Sequence, residues 1–320
     1  MNYIEQAYKG KNEWWRYLLS IITIFLGWQF LGVIPLFMAA YNESDDLSEL
    51  IRSSENAFGD LGINSNVYLF VMLLTFVFGL IFLLFSVKKI HLRSIRSLIT
   101  SRDKVDWKRV VFGFGMWFLL SLFSLIVDYA VSPEHYVYNF KPEPFLILVV
   151  IAFVLMPLQT SFEELLFRGY LMQGIGVWFK NAAVPFLFTS IVFGLMHGFN
   201  PEVEKLGYII LVYYIATGFL FGIVTLMDDG SELALGMHAA NNIVASIFVT
   251  VNWSAFQTDA LFVDISEPSL SVYMFVPVFI IYPVVIIYLS RKYGWSDWKH
   301  KLFGRISQPE IVNESETTTY

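Results

Sequence analysis

The 320 residues are 56% hydrophobic and 18% aromatic but only 15% charged, with a formal net charge of −6 and a mean hydropathy of +0.59. Soluble domains carry about 25% charged residues, so a soluble globular protein is excluded, and nothing in the charge balance points to a nucleic-acid partner. The absence of cysteine excludes disulfides, a thiol nucleophile, thiolate metal ligands and prenylation of the chain itself.

Eight apolar segments follow in chain order, at roughly 17–40, 66–87, 109–131, 144–166, 183–199, 206–227, 233–252 and 270–290. At about 1.5 Å per residue most are long enough to cross a hydrocarbon core of about 30 Å. The expected fold is therefore all-α, a polytopic membrane protein with about eight transmembrane helices. The first segment, flanked by Lys9, Lys11 and Arg16, is too long for a signal peptide and reads as an uncleaved helix.

Residues 1–16 form a short N-terminus, and 17–143 hold three helices with a basic loop at 88–109. Residues 144–252 form the core that carries the polar motifs, 253–306 the last helix with its basic flank, and 307–320 a polar tail expected to be disordered. The loop holds Lys88, Lys89, Arg93, Arg96, Arg102, Lys104, Lys108 and Arg109, and the C-terminal flank has Arg291, Lys292, Lys299, Lys301 and Arg305. The first loop is acidic, with Glu43, Asp45, Asp46, Glu49, Glu55 and Asp60 against Arg52. Lys and Arg gather on the cytoplasmic side of membrane proteins, so both termini and the basic loop are expected in the cytoplasm of a multi-pass cell-membrane protein. The stretch from Ile90 to Thr100 reads mainly as a solvated loop, with contact to anionic headgroups as the sharper alternative. Asn42-Glu43-Ser44 and Asn252-Trp253-Ser254 match glycosylation sequons, a pattern close to chance.

Three segments place ionisable groups inside apolar runs: Glu163-Glu164-x-x-x-Arg168, Phe193-x-x-x-His197 and His238-x-x-x-Asn242. Such groups cost roughly 2.5–3.5 kcal/mol each at bilayer depth on insertion scales, which makes them functional candidates. Residues four apart share a helix face, so Glu164 pairs with Arg168 while Glu163, about 100° around, stays free. With a turn at Lys180-Asn181, Glu163 and His197 both lie about 25 Å from it and face each other. His238 lies only about 13 Å from the turn at Asp228-Asp229-Gly230. The depths agree only if the hairpin of the fourth and fifth segments protrudes by about 10 Å, which puts the site in the cytoplasmic half of the membrane, reached from the cytoplasm.

A buried carboxylate beside imidazoles suits activation of a water, and neutral imidazole and amide groups near Arg168 suit an oxyanion. Glu163, His197 and His238 also have the donor atoms to ligate a divalent metal such as zinc; the residues leave metal dependence open. Plainer roles are a charge-compensated packing network for Glu163, Glu164 and Arg168, a core histidine at His197, and interhelical hydrogen bonding for His238 and Asn242. Asn241 reads as packing, Pro157 as a kink, and Asp228 and Asp229 as caps of a turn. His91, His135 and His300 fall in loops and need no special role.

The three motifs, in this order on three spans, resemble those of the CPBP family of intramembrane proteases, related to type II CAAX prenyl endopeptidases and to bacteriocin-processing and immunity proteins. The resemblance covers about residues 144–250. It implies an endopeptidase acting on a membrane-associated peptide or protein, with Glu163 activating water and Glu164 and Arg168 beside it. It further implies His197 as the second catalytic group and His238 with Asn242 at the oxyanion. The rival readings are a non-catalytic immunity or scaffold protein and, less favoured because no internal repeat is seen, a proton-coupled transporter.

Overall fold

The computed structural model describes residues 1–309 except 252, 255, 256 and 271. The acidic end of the tail and the Asn252 sequon therefore lie outside the described residues. Among the described residues, five helices are long and apolar enough to cross a membrane: α1 (Trp14–Glu43), α2 (Ser65–Ile90), α3 (Trp107–Val131), α4 (Pro142–Phe179) and α6 (Tyr208–Met227). Three shorter ones, α5 (Ala183–Phe199), α7 (Glu232–Ile247) and α8 (Tyr282–Tyr293), complete the eight apolar segments. The all-α polytopic membrane architecture read from the sequence is the one observed.

Helix α4 is the element that fixes the site. Its 38 residues span about 57 Å, nearly twice a bilayer core. It runs through Pro157, and the hydroxyls of Thr160 and Ser161 bond back to the carbonyls of Met156 and Pro157. Directly after Glu164 it widens into a π-type turn, Leu165–Leu171, a feature that often marks functional sites. It ends at Lys180, whose φ of 52° reverses the chain into α5. The long hairpin expected from depth counting is thus present.

Close helix crossings depend on small residues. A Cβ at Gly218 would strike the Ser190 carbonyl, and one at Gly194 the backbone of Ile215, so α5 and α6 touch backbone to backbone. Trp117, Phe221, Leu233, Met237 and Tyr282 form one buried cluster across α3, α6, α7 and α8. Tyr17, Leu83, Leu98, Phe162 and Tyr170 form another between α1, α2 and α4.

Several segments depart from the sequence reading. Helix α7 stops at Ile247, and the chain goes on as β2 (Val249–Val251). That strand pairs parallel with β3 (Phe262–Asp264), which pairs antiparallel with β1 (Tyr136–Tyr138); the polar loops thus satisfy their backbone in a small sheet of order β1-β3-β2. The first loop contains a helix, Leu47–Ser54, capped by the Asp46 side chain on the Glu49 N–H. The basic loop is not a solvated strap. It holds a short helix, Arg96–Ile99, and buries His91 and Arg93 where it packs beside the N-terminal turn Ile4–Lys9.

The turn between α6 and α7 is also more than a capped turn. Asp228, almost fully buried, takes Arg102 at 3.1 Å, Arg109 at 2.5 Å and the Trp295 indole N–H at 3.1 Å. Glu232 takes Arg102 at 3.1 Å, and Asp229 takes Lys301 at 2.7 Å. Basic loop and C-terminal helix are thereby bound to one end of the bundle. Burial, opposed by these arginines, pushes the Asp228 carboxyl up to about 6.

Candidate active site

All six sequence candidates lie on α4, α5 and α7. Glu164 is completely enclosed; its Oε1 accepts from Arg168 Nη1 at 3.0 Å and from His238 Nδ1 at 2.8 Å. Arg168, also completely enclosed, donates through Nη2 to the Gly218 carbonyl at 3.2 Å, and its guanidinium lies 4.1 Å from the centre of the Phe193 ring. The i,i+4 pairing of Glu164 with Arg168 is therefore real, and it is extended by a third partner.

That partner is His238, which the resemblance assigns with Asn242 to the oxyanion. His238 stands level with both glutamates: its Nε2 is 3.5 Å from Glu163 Oε2, and its ring stacks on Phe221. It does not bond to Asn242. Asn242 Nδ2 instead donates to Gln159 Oε1 at 3.0 Å, and Asn241 bridges Trp117 Nε1 and Asn242 Oδ1, both at 3.2 Å. Gln159 is one turn before Glu163 on the same face, a signal the sequence reading passed over.

His197 half-faces the same space without a direct contact to Glu163 among the described residues. Its Nδ1 lies 2.9 Å from the Phe193 carbonyl. A carbonyl only accepts, so Nδ1 carries the hydrogen and Nε2 is left as an acceptor. The ring stacks on Tyr214 at 4.3 Å; that tyrosine sits inside an apolar run and gave no sequence signal.

These groups line a cavity of about 500 Å³. Glu163, with 17% of its side chain exposed, is on its wall, together with Gln159, His197, His238 and Asn242. The lining continues past Asn200 and Glu202 to Val249, Val251 and Ser254 at the sheet end of the bundle. None of the Asp228 cluster takes part. The approach expected from the end bearing the basic loop is not the direction of this cavity, whose lining runs toward the sheet end instead.

Glu163, His197 and His238, the residues with metal-ligand chemistry, are not gathered as a metal-binding group of three among the described residues. Each imidazole nevertheless keeps Nε2 as a free acceptor, since it is Nδ1 that faces Glu164 in His238 and the Phe193 carbonyl in His197. The donor types and their outer partners suit a divalent metal, but as placed the three do not gather around one point.

Comparison with known proteins bears on this geometry. The family described as type II CAAX prenyl endopeptidase Rce1-like matches residues 142–244, the stretch that carries Glu163 through Asn242. Over 264 residues the chain is 31% identical to the uncharacterized protein YyaK of Bacillus subtilis (strain 168), covering 80% of this chain and 85% of that one. No solved structure matches. The chain belongs to the Rce1-like, CPBP family of membrane-embedded proteins, and its class at that level is a protease-type hydrolase with a membrane-associated peptide substrate.

Proposed function

We propose that this Rce1-like protein is an intramembrane endopeptidase in which Glu163 activates the water that cleaves a peptide bond of a membrane-associated peptide or protein. One observation carries the reading. Of the two adjacent glutamates, Glu164 is neutralised by Arg168 and His238, while Glu163 alone presents its carboxylate to a cavity.

The proton inventory supports it. Glu164 as a carboxylate accepts from His238 Nδ1, so the Nε2 facing Glu163 is a lone pair when the imidazole is neutral. One proton between Glu163 and Nε2 makes that pair favourable, and the couple can take up a proton and return it. Water oxygen attacks the substrate carbonyl carbon while Glu163 accepts the water proton. The C–N bond then breaks as that proton passes to the departing amine, giving an acid and an amine. Asn242, fixed by Gln159, retains a second amide N–H for the oxyanion. His197 Nε2 accepts from a water or a substrate N–H. No step passes through a metal, since the donors do not gather around one.

An extended substrate suits the far end of the cavity. Strand β2 is the edge of its sheet, and Val249 and Val251 line the cavity wall, so a peptide can align there by backbone pairing. By loop charge this is the outer side of the membrane. The test is comparative proteomics of membrane peptides from cells carrying the wild type or Glu163→Gln. A fragment ending at a defined bond only with the wild type is expected; full activity in a folded Glu163→Gln protein would sink the proposal.

A further inference from the structure

Arg93 lies just beyond the end of α2, in the segment leading to the helix Arg96–Ile99. It is only 6% exposed. Yet no hydrogen bond or ion pair to its guanidinium is found among the described residues, and its Nε is wholly enclosed without a partner. A buried cation left in this state is strongly unfavourable, and native proteins place a counter-charge beside it.

The surroundings do not supply one. Tyr3, Tyr17 and Tyr170 are the titratable side chains that act on it. Their hydroxyls are engaged with the Leu98 carbonyl at 2.7 Å, Asn12 Oδ1 at 2.6 Å and His91 Nε2 at 2.9 Å. The acids of the N-terminal segment are engaged too: Glu13 with Arg16 at 2.8 Å and Glu5 with the Asn2 N–H at 2.9 Å. The other charges in this part of the chain, Lys88, Lys89 and Arg96, are positive.

Arg93 lines a surface opening together with Lys88, Leu92, Ser94 and Ile95. A guanidinium fork, an ammonium and a hydroxyl are the donor set of a phosphate site. Leu92, 60% exposed with φ +51°, adds an apolar side chain at the rim. The opening sits where a membrane-crossing helix ends, on the side that loop charge assigns to the cytoplasm, whose leaflet carries anionic lipid.

We propose that Arg93 and Lys88 hold a phosphate group as the missing counter-anion of the buried guanidinium. A phospholipid headgroup and free inorganic phosphate share this chemistry. The test uses the purified full-length chain in detergent and reads melting temperature against added phosphatidylglycerol, diacylglycerol without a phosphate, or inorganic phosphate. Phosphatidylglycerol is expected to raise the melting temperature and diacylglycerol to leave it unchanged. An equal response to inorganic phosphate assigns the site to the free ion, and a response to the lipid alone assigns it to a headgroup. Arg93→Gln should weaken the response by about tenfold or more in apparent affinity, with the ligand-free protein no less stable because its unpaired charge is gone. Should that variant not fold, Lys88→Gln, at an exposed position, should weaken the response by about fivefold. A response of wild-type size in these variants, or none in the wild type to either phosphate source, overturns the proposal.

Discussion

At the Lys180 end of the bundle, Asp228 receives Arg102, Arg109 and Trp295, and Arg102 also reaches Glu232. Midway along α7 a second acid–base cluster forms, in which Glu164 receives Arg168 and His238, while Glu163 keeps a 3.5 Å contact to His238 and the Gln159 side chain beside it on a cavity wall. The first joins carboxylates to arginines distant in sequence; in the second the arginine lies one turn along the same helix, and His238 comes across from α7. The first is closed, every carboxylate facing a cation, and its product is a fastened loop and C-terminus. The second is closed on one side only. Its arginine and histidine are spent on Glu164, and that arrangement holds Glu163 ready without neutralising it. The difference teaches that a buried ion pair alone says little about function; the carboxylate with room for a water beside it does.

The comparison breaks most sharply at Glu163. Replacing it by Gln keeps the shape and removes the base, so kcat/KM should fall by about 10³–10⁴-fold while the melting temperature stays near that of the wild type. A loss of stability as large as the loss of rate would move Glu163 into the structural group. Glu164→Gln should behave in the opposite way. It leaves Arg168 buried without its counter-charge, a change expected to cost roughly 3 kcal/mol or more of stability; denaturation midpoints of the two variants side by side would show it. Asp228→Asn is expected to cost only about 1–2 kcal/mol, since its arginines remain partly in water, with peptidase kcat/KM within about twofold of wild type. A large rate loss there would mean that the closed end communicates with the site.

Much of this was legible in the sequence, and the misses have physical causes. Apolar runs and loop charges defined the helices, and the i,i+4 rule found Glu164 with Arg168. Depth counting demanded the long hairpin that α4 forms. The same counting paired Glu163 with His197, because it treats helices as rods and ignores rotation about their axes. In the fold the π-type turn after Glu164 and the backbone contact of α5 with α6 turn His197 toward Tyr214, and His238 takes the place beside Glu163. Gln159 was readable from the helix face it shares with Glu163. Tyr214 was not, since a tyrosine in an apolar run looks like packing. The direction of the cavity was hidden as well, because its wall is completed by Trp28, Phe76, Tyr213 and Val249, apolar-run residues from elements that the three motifs do not mark.

His91 gives the smallest and most local test, on the basic segment that reads as loop in the sequence. It is 3% exposed, with Nδ1 against the Lys11 carbonyl at 2.7 Å and Nε2 against Tyr170 Oη at 2.9 Å. Burial, aided by Arg93 and Arg16, holds its imidazole below the usual histidine range, although the Lys11 carbonyl acts the other way. The folded chain thus binds fewer protons at this position than the unfolded chain, whose histidine titrates near about 6.5. Stability linked to His91 is then fully present above that pH and is lost as the pH falls through it, as the linkage relation requires when the unfolded state holds more protons. As the pH falls from about 7.5 to 5.5 the wild type should lose more stability than His91→Gln, read as the difference between their denaturation midpoints in the same detergent. Parallel curves would mean that the Lys11 carbonyl stabilises the imidazolium as strongly as burial opposes it, so that this junction, unlike Glu163 on its cavity, carries no net proton preference.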